Sequence, residues 1–224
     1  MRQYKRLTED SFLEIDKSKN IYQKKLLNES YENKLKALMR LQKKALFFDK
    51  IKIGLSESFD LSNIIKVLNS LIKEKLIDDY VIGGATALLY YSTPHLTEDI
   101  DVFITINHSS LIIDLSEIYE YLIQNFNAKI ENEYILLFNN PIQFLMTGDN
   151  ITKEAIKNYN KVIIKGNTFK LFSLEYLIAI MLFLNKTKYK ERLRIVKEEN
   201  KYDNNVLMSI LKKHNLIQKW ENIK

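Results

Sequence analysis

Two short motifs in this 224-residue chain carry residue types that do chemistry. Gly83-Gly84 follows the apolar run Tyr80-Val81-Ile82 and precedes Ala85-Thr86-Ala87-Leu88. A strand passing through two glycines into a helix lets the backbone approach a ligand closely. The free N–H groups at the start of that helix then point at the ligand, an arrangement that holds anions. A tight turn needing glycine for its dihedrals alone would look the same. Fifteen residues after Gly84 comes Asp99-Ile100-Asp101, inside a β-like run that reaches Thr105. Side chains alternate along a strand, so Asp99 and Asp101 share one face and Ile100 and Val102 the other. Two carboxylates about 7 Å apart along a strand repel each other unless a cation lies between them. Hard oxygen donors of this kind suit Mg²⁺, which is held by one or two carboxylates together with substrate phosphates. The plainer alternative is a pair of exposed acids on an edge strand. Against it, Asp is a poor strand former, yet here two flank an apolar residue in a run that looks buried.

These residues need elements to position them. Leu61, Ile64, Ile65, Leu68, Leu71 and Ile72 predict a helix from a cap at Asp60 or Ser62 to about Lys75. A strand at Tyr80-Val81-Ile82 and a helix from Ala85 to about Tyr91, stopped by Pro94, carry the glycines between them. A helix over roughly Leu111 to Asn125 and strands at Ala128 to Ile130, Tyr134 to Phe138 and Ile142 to Met146 follow. After a short helix from Thr152 to Tyr159, β-like runs at Val162 to Ile164 and Thr168 to Phe172 meet around Gly166-Asn167. Ser173 then caps a strongly apolar helix to Leu184. The Lys-rich stretch Lys186 to Arg194 leads into another helix, and Asp203 or Asn204 opens a last one. The expected fold class is α/β (α+β): a small mixed β-sheet core with an N-terminal helical arm and a C-terminal helical part. The expected division is 1–55 for the arm, 56–150 for the core, and 151–224 for a β-hairpin and helical region. In the arm, Tyr31, Leu35, Leu38 and Met39 recur at helical spacing, and Ser30 with Glu32 and Asn33 can open that helix. The arm reads as an amphipathic helix with a solvated charged face, or as a docking helix for the rest of the chain or a partner.

Composition narrows the classes. The chain has no cysteine, which excludes a disulfide scaffold, a thiolate metal site and a cysteine nucleophile. His108 and His214 have no partner at metal spacing, so a zinc site is not expected. No apolar run approaches the roughly 18 residues of a membrane span, and no apolar segment follows the basic N-terminus to make a secretory signal. A soluble, cytoplasmic protein without a membrane partner is the expectation. Lys and Arg total 34 against 28 Asp and Glu, a net charge of +6. That excess permits phosphate-bearing partners without arguing for them.

The motifs together resemble a known signature. Gly83-Gly84-Ala85-Thr86-Ala87-Leu88, then His95-Leu96-Thr97-Glu98-Asp99-Ile100-Asp101, is similar to the active-site pattern of the polymerase-β-type nucleotidyltransferase superfamily. Within it the pattern most resembles the AbiEii-like minimal nucleotidyltransferases, some of which are toxins of toxin–antitoxin or phage-defence systems. Pro141 to Leu145 resembles a later core strand, and Leu174 to Ala179 with Lys188-x-Lys190-Glu191-Arg192 resembles a helix with a basic Lys-Asp-Arg element. The resemblance covers about residues 60–222.

It implies a Mg²⁺-dependent enzyme that moves an NMP from an NTP to a macromolecular acceptor, RNA (a tRNA end) or protein. A cognate antitoxin would be a further partner. Asp99, Asp101 and Glu191 would be catalytic, with Asp99 and Asp101 the metal ligands. Gly83, Gly84, Thr97, Lys188 and Lys190 would bind the nucleotide. The chain departs from the pattern at three places. Gln143 stands where many relatives have a third carboxylate, with Glu131 and Glu133 as the nearest substitutes in sequence. His95 stands where many have Arg, and Glu191 where relatives have Asp. An NTP- or RNA-binding module of the same fold, impaired in turnover, is the alternative reading.

Overall fold

The computed structural model describes residues 29–34, 36, 61–92, 97, 99–106, 115–164 and 166–223. The elements follow the hydrophobic patterns closely. Helix α1 (Leu61–Lys73) buries Leu61, Ile64, Ile65, Val67, Leu68 and Leu71 along one side. Strand β1 (Asp79–Ile82) runs into helix α2 (Gly84–Tyr91), whose Ala85 to Leu89 are all buried. Strand β2 (Ile100–Thr105) alternates strictly, with Ile100, Val102 and Ile104 buried and Asp101, Phe103 and Thr105 half-buried. That alternation is the two-residue period expected of the Asp-Ile-Asp run.

Helix α3 (Ser116–Phe126) precedes the meander β3 (Lys129–Glu131), β4 (Tyr134–Leu137) and β5 (Asn140–Met146). Helix α4 (Asn150–Ala155) starts at Asp149, whose carboxylate accepts the Thr152 N–H. The hairpin β6 (Asn160–Ile164) and β7 (Asn167–Leu171) comes next. Ser173 caps α5 (Leu174–Leu184), as its hydroxyl accepts the Tyr176 N–H. Helices α6 (Thr187–Glu199), α7 (Asn204–Lys213) and α8 (Ile217–Glu221) complete the described chain. The Lys-rich stretch expected to lead into a helix is itself the first half of α6.

Among the described residues the strands form one mixed seven-stranded sheet in the order β3-β4-β5-β2-β1-β7-β6. The β1–β2, β3–β4, β4–β5 and β6–β7 pairs are antiparallel, and β2–β5 and β1–β7 are parallel. The expected division at residue 150 therefore runs through a single sheet, because Ile82 of β1 pairs with Leu171 of β7. Helix α5 is buried nearly all round, which is the fate of a helix without a polar face. It packs against α2, α4, α6 and α7, so it ties the sheet-side helices to the C-terminal ones.

The chain has only five glycines, and asparagine takes over their left-handed role. Among the described residues Asn127, Asn132, Asn139, Asn185, Asn200 and Asn215 have φ between 48° and 61°. Asn127, Asn185 and Asn200 end α3, α5 and α6 in this conformation. Asparagine tolerates it better than other side-chain-bearing residues.

Candidate active site

The glycine turn and the aspartate strand meet because β1 and β2 are antiparallel neighbours. Ile82 pairs with Val102, and one residue on, the Gly83 N–H donates to the Asp101 carbonyl at 2.9 Å. On the other side, the Phe172 N–H donates to the Ile82 carbonyl at 3.0 Å. The turn is thus pinned between β2 and the end of β7. Phe103 and Phe172, with ring centroids 4.7 Å apart, crowd the turn. A Cβ on Gly83 would stand 2.5 Å from the Phe103 ring, so no larger residue fits there without rearrangement. Gly84 opens α2 with φ +55°, in the left-handed region, and a Cβ there would run into the Asp101 carboxylate. The Asp101 side chain therefore lies directly over the backbone at the start of α2.

Asp99 is held by a neighbour. The Thr97 hydroxyl, almost buried, donates to the Asp99 carbonyl at 3.0 Å and stands 3.3 Å from Asp99 Oδ1. Thr97, expected to bind nucleotide, thus touches Asp99 and orients it. Burial pushes the Asp101 carboxyl up to about 6, and the Asp99 charge pushes the same way. Two acids held so that one resists ionising form a site whose charged state a cation would favour.

The opposing charge comes from α6. Lys188, Arg192 and Lys186 all act on Asp101 and partly offset its burial. The Arg192 guanidinium is lowered by its own burial and raised by Tyr189, Asp101 and Asp99. The Tyr189 phenol is raised by burial, then by Asp101, with Arg192 opposing and Asp99 adding. Its ring centroid lies 5.8 Å from Lys188 Nζ and 5.9 Å from Arg192 Cζ. Residues 188, 189 and 192 sit three and four apart and so share one side of the helix. Lys186 is the N-cap of α6 and makes no side-chain cap, and no acid lies in the first turn. The positive end of the helix dipole thus adds to the lysine charges on the side facing the aspartates.

Other expected site residues go elsewhere. Lys190 and Glu191 line a cavity of about 440 Å³ between α5, α6 and α8, together with Arg194 and Lys219, and Lys186 and Tyr189 border it as well. The Glu191 carboxylate accepts hydrogen bonds from Arg194 at 2.8 and 3.1 Å. Gln143 of β5 is the direct register partner of Asp101, so the position beside the aspartate strand carries an amide. Glu131 does not stand in for a carboxylate there: it ends β3, and β4 and β5 intervene between β3 and β2, roughly 14 Å at the usual strand spacing, while Glu133 lies in the turn from β3 to β4. His95 and His108 lie outside the described residues. Among the described residues no three His, Cys, Asp or Glu side chains form a group able to hold a metal ion. Asp99 and Asp101 form a two-carboxylate donor set, which fits a divalent ion that takes its remaining oxygens from substrate phosphates and water.

A family model described as nucleotidyl transferase of unknown function (DUF2204) matches residues 60–222. The chain belongs to this family. The matched region contains the glycine turn, the aspartate strand and the basic helix, every element of the site just described. Among solved structures, this DUF2204 chain is similar to an antigenic nucleotidyltransferase-like protein from Paracoccidioides brasiliensis. The two share 18% identity over 57% of this chain and 66% of that one, with a TM-score of 0.39. The match thus spans just under two thirds of that protein. No curated protein matches the DUF2204 chain.

Sequence reasoning named Lys188 for the candidate site and placed Arg192 in the same basic element, but gave no role of their own to Lys186, Tyr189 or Arg192. A signal was present: once the Lys-rich stretch is read as helix, residues 188, 189 and 192 fall within one arc of its surface.

Proposed function

We propose that this protein is a Mg²⁺-dependent nucleotidyltransferase that moves an NMP from an NTP onto a macromolecular acceptor, RNA or protein. The observation that carries the reading is the convergence of Asp101, set against the start of α2, and its neighbour Asp99 with Lys186, Lys188 and Arg192 of α6. The membership in a nucleotidyl transferase family supports it.

In this reading Asp99 and Asp101 hold the metal, and Thr97 keeps Asp99 in place. The metal, when bound, supplies charge neutralisation and alignment of the triphosphate for in-line displacement. The α2 backbone at Gly83-Gly84 approaches the phosphates without a side chain in the way. Lys186, Lys188 and Arg192 neutralise phosphate charge from the opposite side, and Arg192 can grip two oxygens at once. The acceptor oxygen bonds to the α-phosphorus, the α–β phosphoanhydride breaks, and pyrophosphate leaves with the bonding electrons. Positioning and electrostatics supply most of the acceleration in such transfers. A toxin role with a cognate antitoxin belongs to the proposal on the resemblance to AbiEii-like proteins alone; an upstream gene for a small regulator would support it.

One observation favours a second reading, a nucleotide- or RNA-binding module with little turnover. The residue beside Asp101 is Gln143, and an amide cannot take a proton from the acceptor hydroxyl. Incubation with each labelled NTP, Mg²⁺ and total RNA or lysate separates the two. Label transfer that disappears in Asp99→Ala and Asp101→Ala establishes the enzyme. Nucleotide binding without pyrophosphate release establishes the module. Neither transfer nor an NTP-dependent thermal shift would overturn both.

A further inference from the structure

Three helices are tied together around the cavity of about 440 Å³ that Lys190 lines. The Lys219 ammonium on α8 donates to the Leu182 carbonyl of α5 at 3.2 Å. The Lys197 ammonium on α6 donates to the Ile223 and Trp220 carbonyls at the end of α8, at 2.8 and 3.1 Å. Only Asn185 and Lys186 separate α5 from α6. The walls are thus helix ends held by hydrogen bonds, which gives the largely pre-formed shape that ligand sites have. The volume falls within the roughly 300–1,000 Å³ of small-molecule pockets.

The lining divides by chemistry. Met181, Leu182 and Leu193 are buried and make an apolar floor. The half-buried Tyr189 ring bounds it on one side, and the exposed amides of Asn185 and Asn222 stand at its edge. The rim carries the exposed ammonium groups of Lys186, Lys190 and Lys219. Arg194 and Glu191 also line it, but Arg194 is paired with Glu191 at 2.8 Å and with Glu198 at 2.9 Å, so it brings no spare charge. Among the described residues no acid forms an ion pair with Lys186 or Lys190. The three lysines therefore set the sign. Lys186 and Lys190 follow one another about 6 Å apart along α6, as cations do in grooves that track a single strand. Lysines that hold phosphate, an aromatic edge and apolar floor for a flat base, and amides for its hydrogen-bonding edge together make a seat for a nucleotide.

We infer that this cavity seats a nucleotide of a single-stranded RNA, with its base against Tyr189 and Leu193 and its phosphate on Lys190 and Lys219, while the end of the strand passes Lys186 toward the aspartates. As an acceptor subsite it rests on the nucleotidyltransferase reading, and it deepens that reading by naming RNA over protein as the acceptor. The nucleotide in the cavity is not the NTP. On a helix of 3.6 residues per turn, position 190 lies about 160° round from both 188 and 192. Phosphates held by Lys188 and Arg192 and a ligand on Lys190 are therefore on opposite sides of α6. Lys186 can serve both, because it is the N-cap and sits at the helix end where the two sides meet. An acidic protein segment would use the lysines and leave the apolar floor and the aromatic edge unused.

Fluorescence anisotropy of the full chain in EDTA, with a short 5′-fluorescein single-stranded RNA as the probe, tests the cavity without the metal site. Lys190→Glu and the cavity-filling Asn222→Trp, both at exposed positions, should each raise Kd roughly tenfold, while circular dichroism shows the fold retained. Lys190→Gln should lower the slope of log K against log salt by about 1. Ultraviolet cross-linking of a 4-thiouridine form of the RNA should mark peptides from residues 181–194 or 219–223. AMP should displace the strand only at concentrations on the order of 100-fold higher, because one unit lacks the run of phosphates, and polyglutamate should not displace it. In transfer assays Lys190→Glu should raise KM for the RNA roughly tenfold and leave KM for the NTP within about threefold. A Kd for RNA unchanged in both Lys190→Glu and Asn222→Trp overturns the subsite. AMP that binds as tightly as the strand overturns RNA in favour of a free nucleotide, and polyglutamate that competes equally overturns it in favour of an acidic protein. If RNA binds through Lys190 and the cavity but the native chain transfers no label to any acceptor, the RNA seat stands and the nucleotidyltransferase reading alone fails.

Discussion

The carboxylate of Asp101 rests against the Cα of Gly84, so closely that a Cβ on that glycine would overlap it, with Asp101 Cγ 2.6 Å away. This contact joins the two sequence motifs into one site. It also means that each motif's composition is a condition for the other. The glycine is required because an acid fills the space, and the acid is held high in proton affinity because the glycine lets it sink against the helix start.

Gly84→Ala is expected to damage both fold and site. Its φ of +55° opposes a side chain, which costs about 1–2 kcal/mol, and the overlap with Asp101 adds to that. The expected result is a lowered Tm together with loss of Mg²⁺-dependent transfer. Gly83→Ala meets the Phe103 ring instead, so it should destabilise while displacing Asp101 less. Thermal unfolding and activity of the two variants, compared side by side, check the distinction. Equal activity in Gly84→Ala and the native chain would refute it.

Asp101→Asn should stabilise the metal-free protein at pH 8 and abolish transfer. The native carboxyl is pushed up to about 6 by burial and by Asp99, so its ionised form is held against a penalty of about 1–3 kcal/mol. An amide carries no such charge. Calorimetry in EDTA should show the variant melting higher than the native chain. Adding Mg²⁺ should raise the native Tm and leave the variant's unchanged. A variant that melts lower in EDTA would refute the electrostatic account of the pair.

Arg192→Gln and Glu191→Gln should part company. Arg192 faces Asp99, Asp101 and Tyr189, whereas Glu191 takes hydrogen bonds from Arg194. Loss of a charged partner for phosphate should raise KM for the NTP by roughly tenfold to a hundredfold in Arg192→Gln. The exposed pair Glu191–Arg194 contributes no more than about 1 kcal/mol, so Glu191→Gln should change KM and kcat by less than about threefold. Steady-state kinetics of both variants, normalised to the folded fraction, read this directly. A collapse of kcat in Glu191→Gln would return that residue to the reaction.

Glu154 should make stability pH-dependent at a distance from the site. Its carboxylate accepts from Tyr176 at 3.0 Å and from Lys213 at 2.9 Å, and stands 3.1 Å from His214 Nε2. These groups come from α5 and α7, so Glu154 ties α4 to both. Hydrogen bonding by Lys213 lowers its carboxyl below the usual range, against a smaller opposing effect of burial. A lowered acid stabilises the fold above the unfolded value and loses that contribution as pH falls through the folded one. Glu154→Gln should therefore lower Tm by roughly 2–4 °C at neutral pH, for a difference of about 1 kcal/mol. The gap between variant and native chain should close as pH falls below the ordinary glutamate range, where the folded carboxylate takes up its proton. A gap independent of pH would point to packing in place of charge.

Much of the fold was legible from local pattern. The alternation Ile100, Val102, Ile104 against Asp101 and Phe103 follows from a period of two, and it put the acid on the open face before any partner was known. Asp149, Ser173 and Asp203 cap α4, α5 and α7 in the structure; Ser173 and Asp203 were readable as caps from sequence, whereas the helix opened by Asp149 was expected to begin two residues later. The Lys-rich stretch was misread as a lead-in because a run of solvated lysines has no apolar stripe to announce a helix; only Leu193 and Val196 of α6 are buried.

The amino-acid sequence alone determined the pieces: a strand ending in two glycines, a strand with two aspartates on one face, a basic stretch, and an apolar helix to bury. Each is set by interactions between residues a few positions apart, and these leave periodic traces in composition. Tertiary structure alone decided which pieces meet. Antiparallel pairing of β1 with β2 brought Asp101 onto Gly84, parallel pairing with β5 set Gln143 beside it, and the packing of α6 brought Lys186, Lys188 and Arg192 across from the aspartates. Packing also put Lys190 and Glu191 along the cavity between α5, α6 and α8 and seated Tyr31 on α2. Such choices depend on pairings across tens of residues, and the side chains that make them carry no mark of the distant partner until the core closes around them.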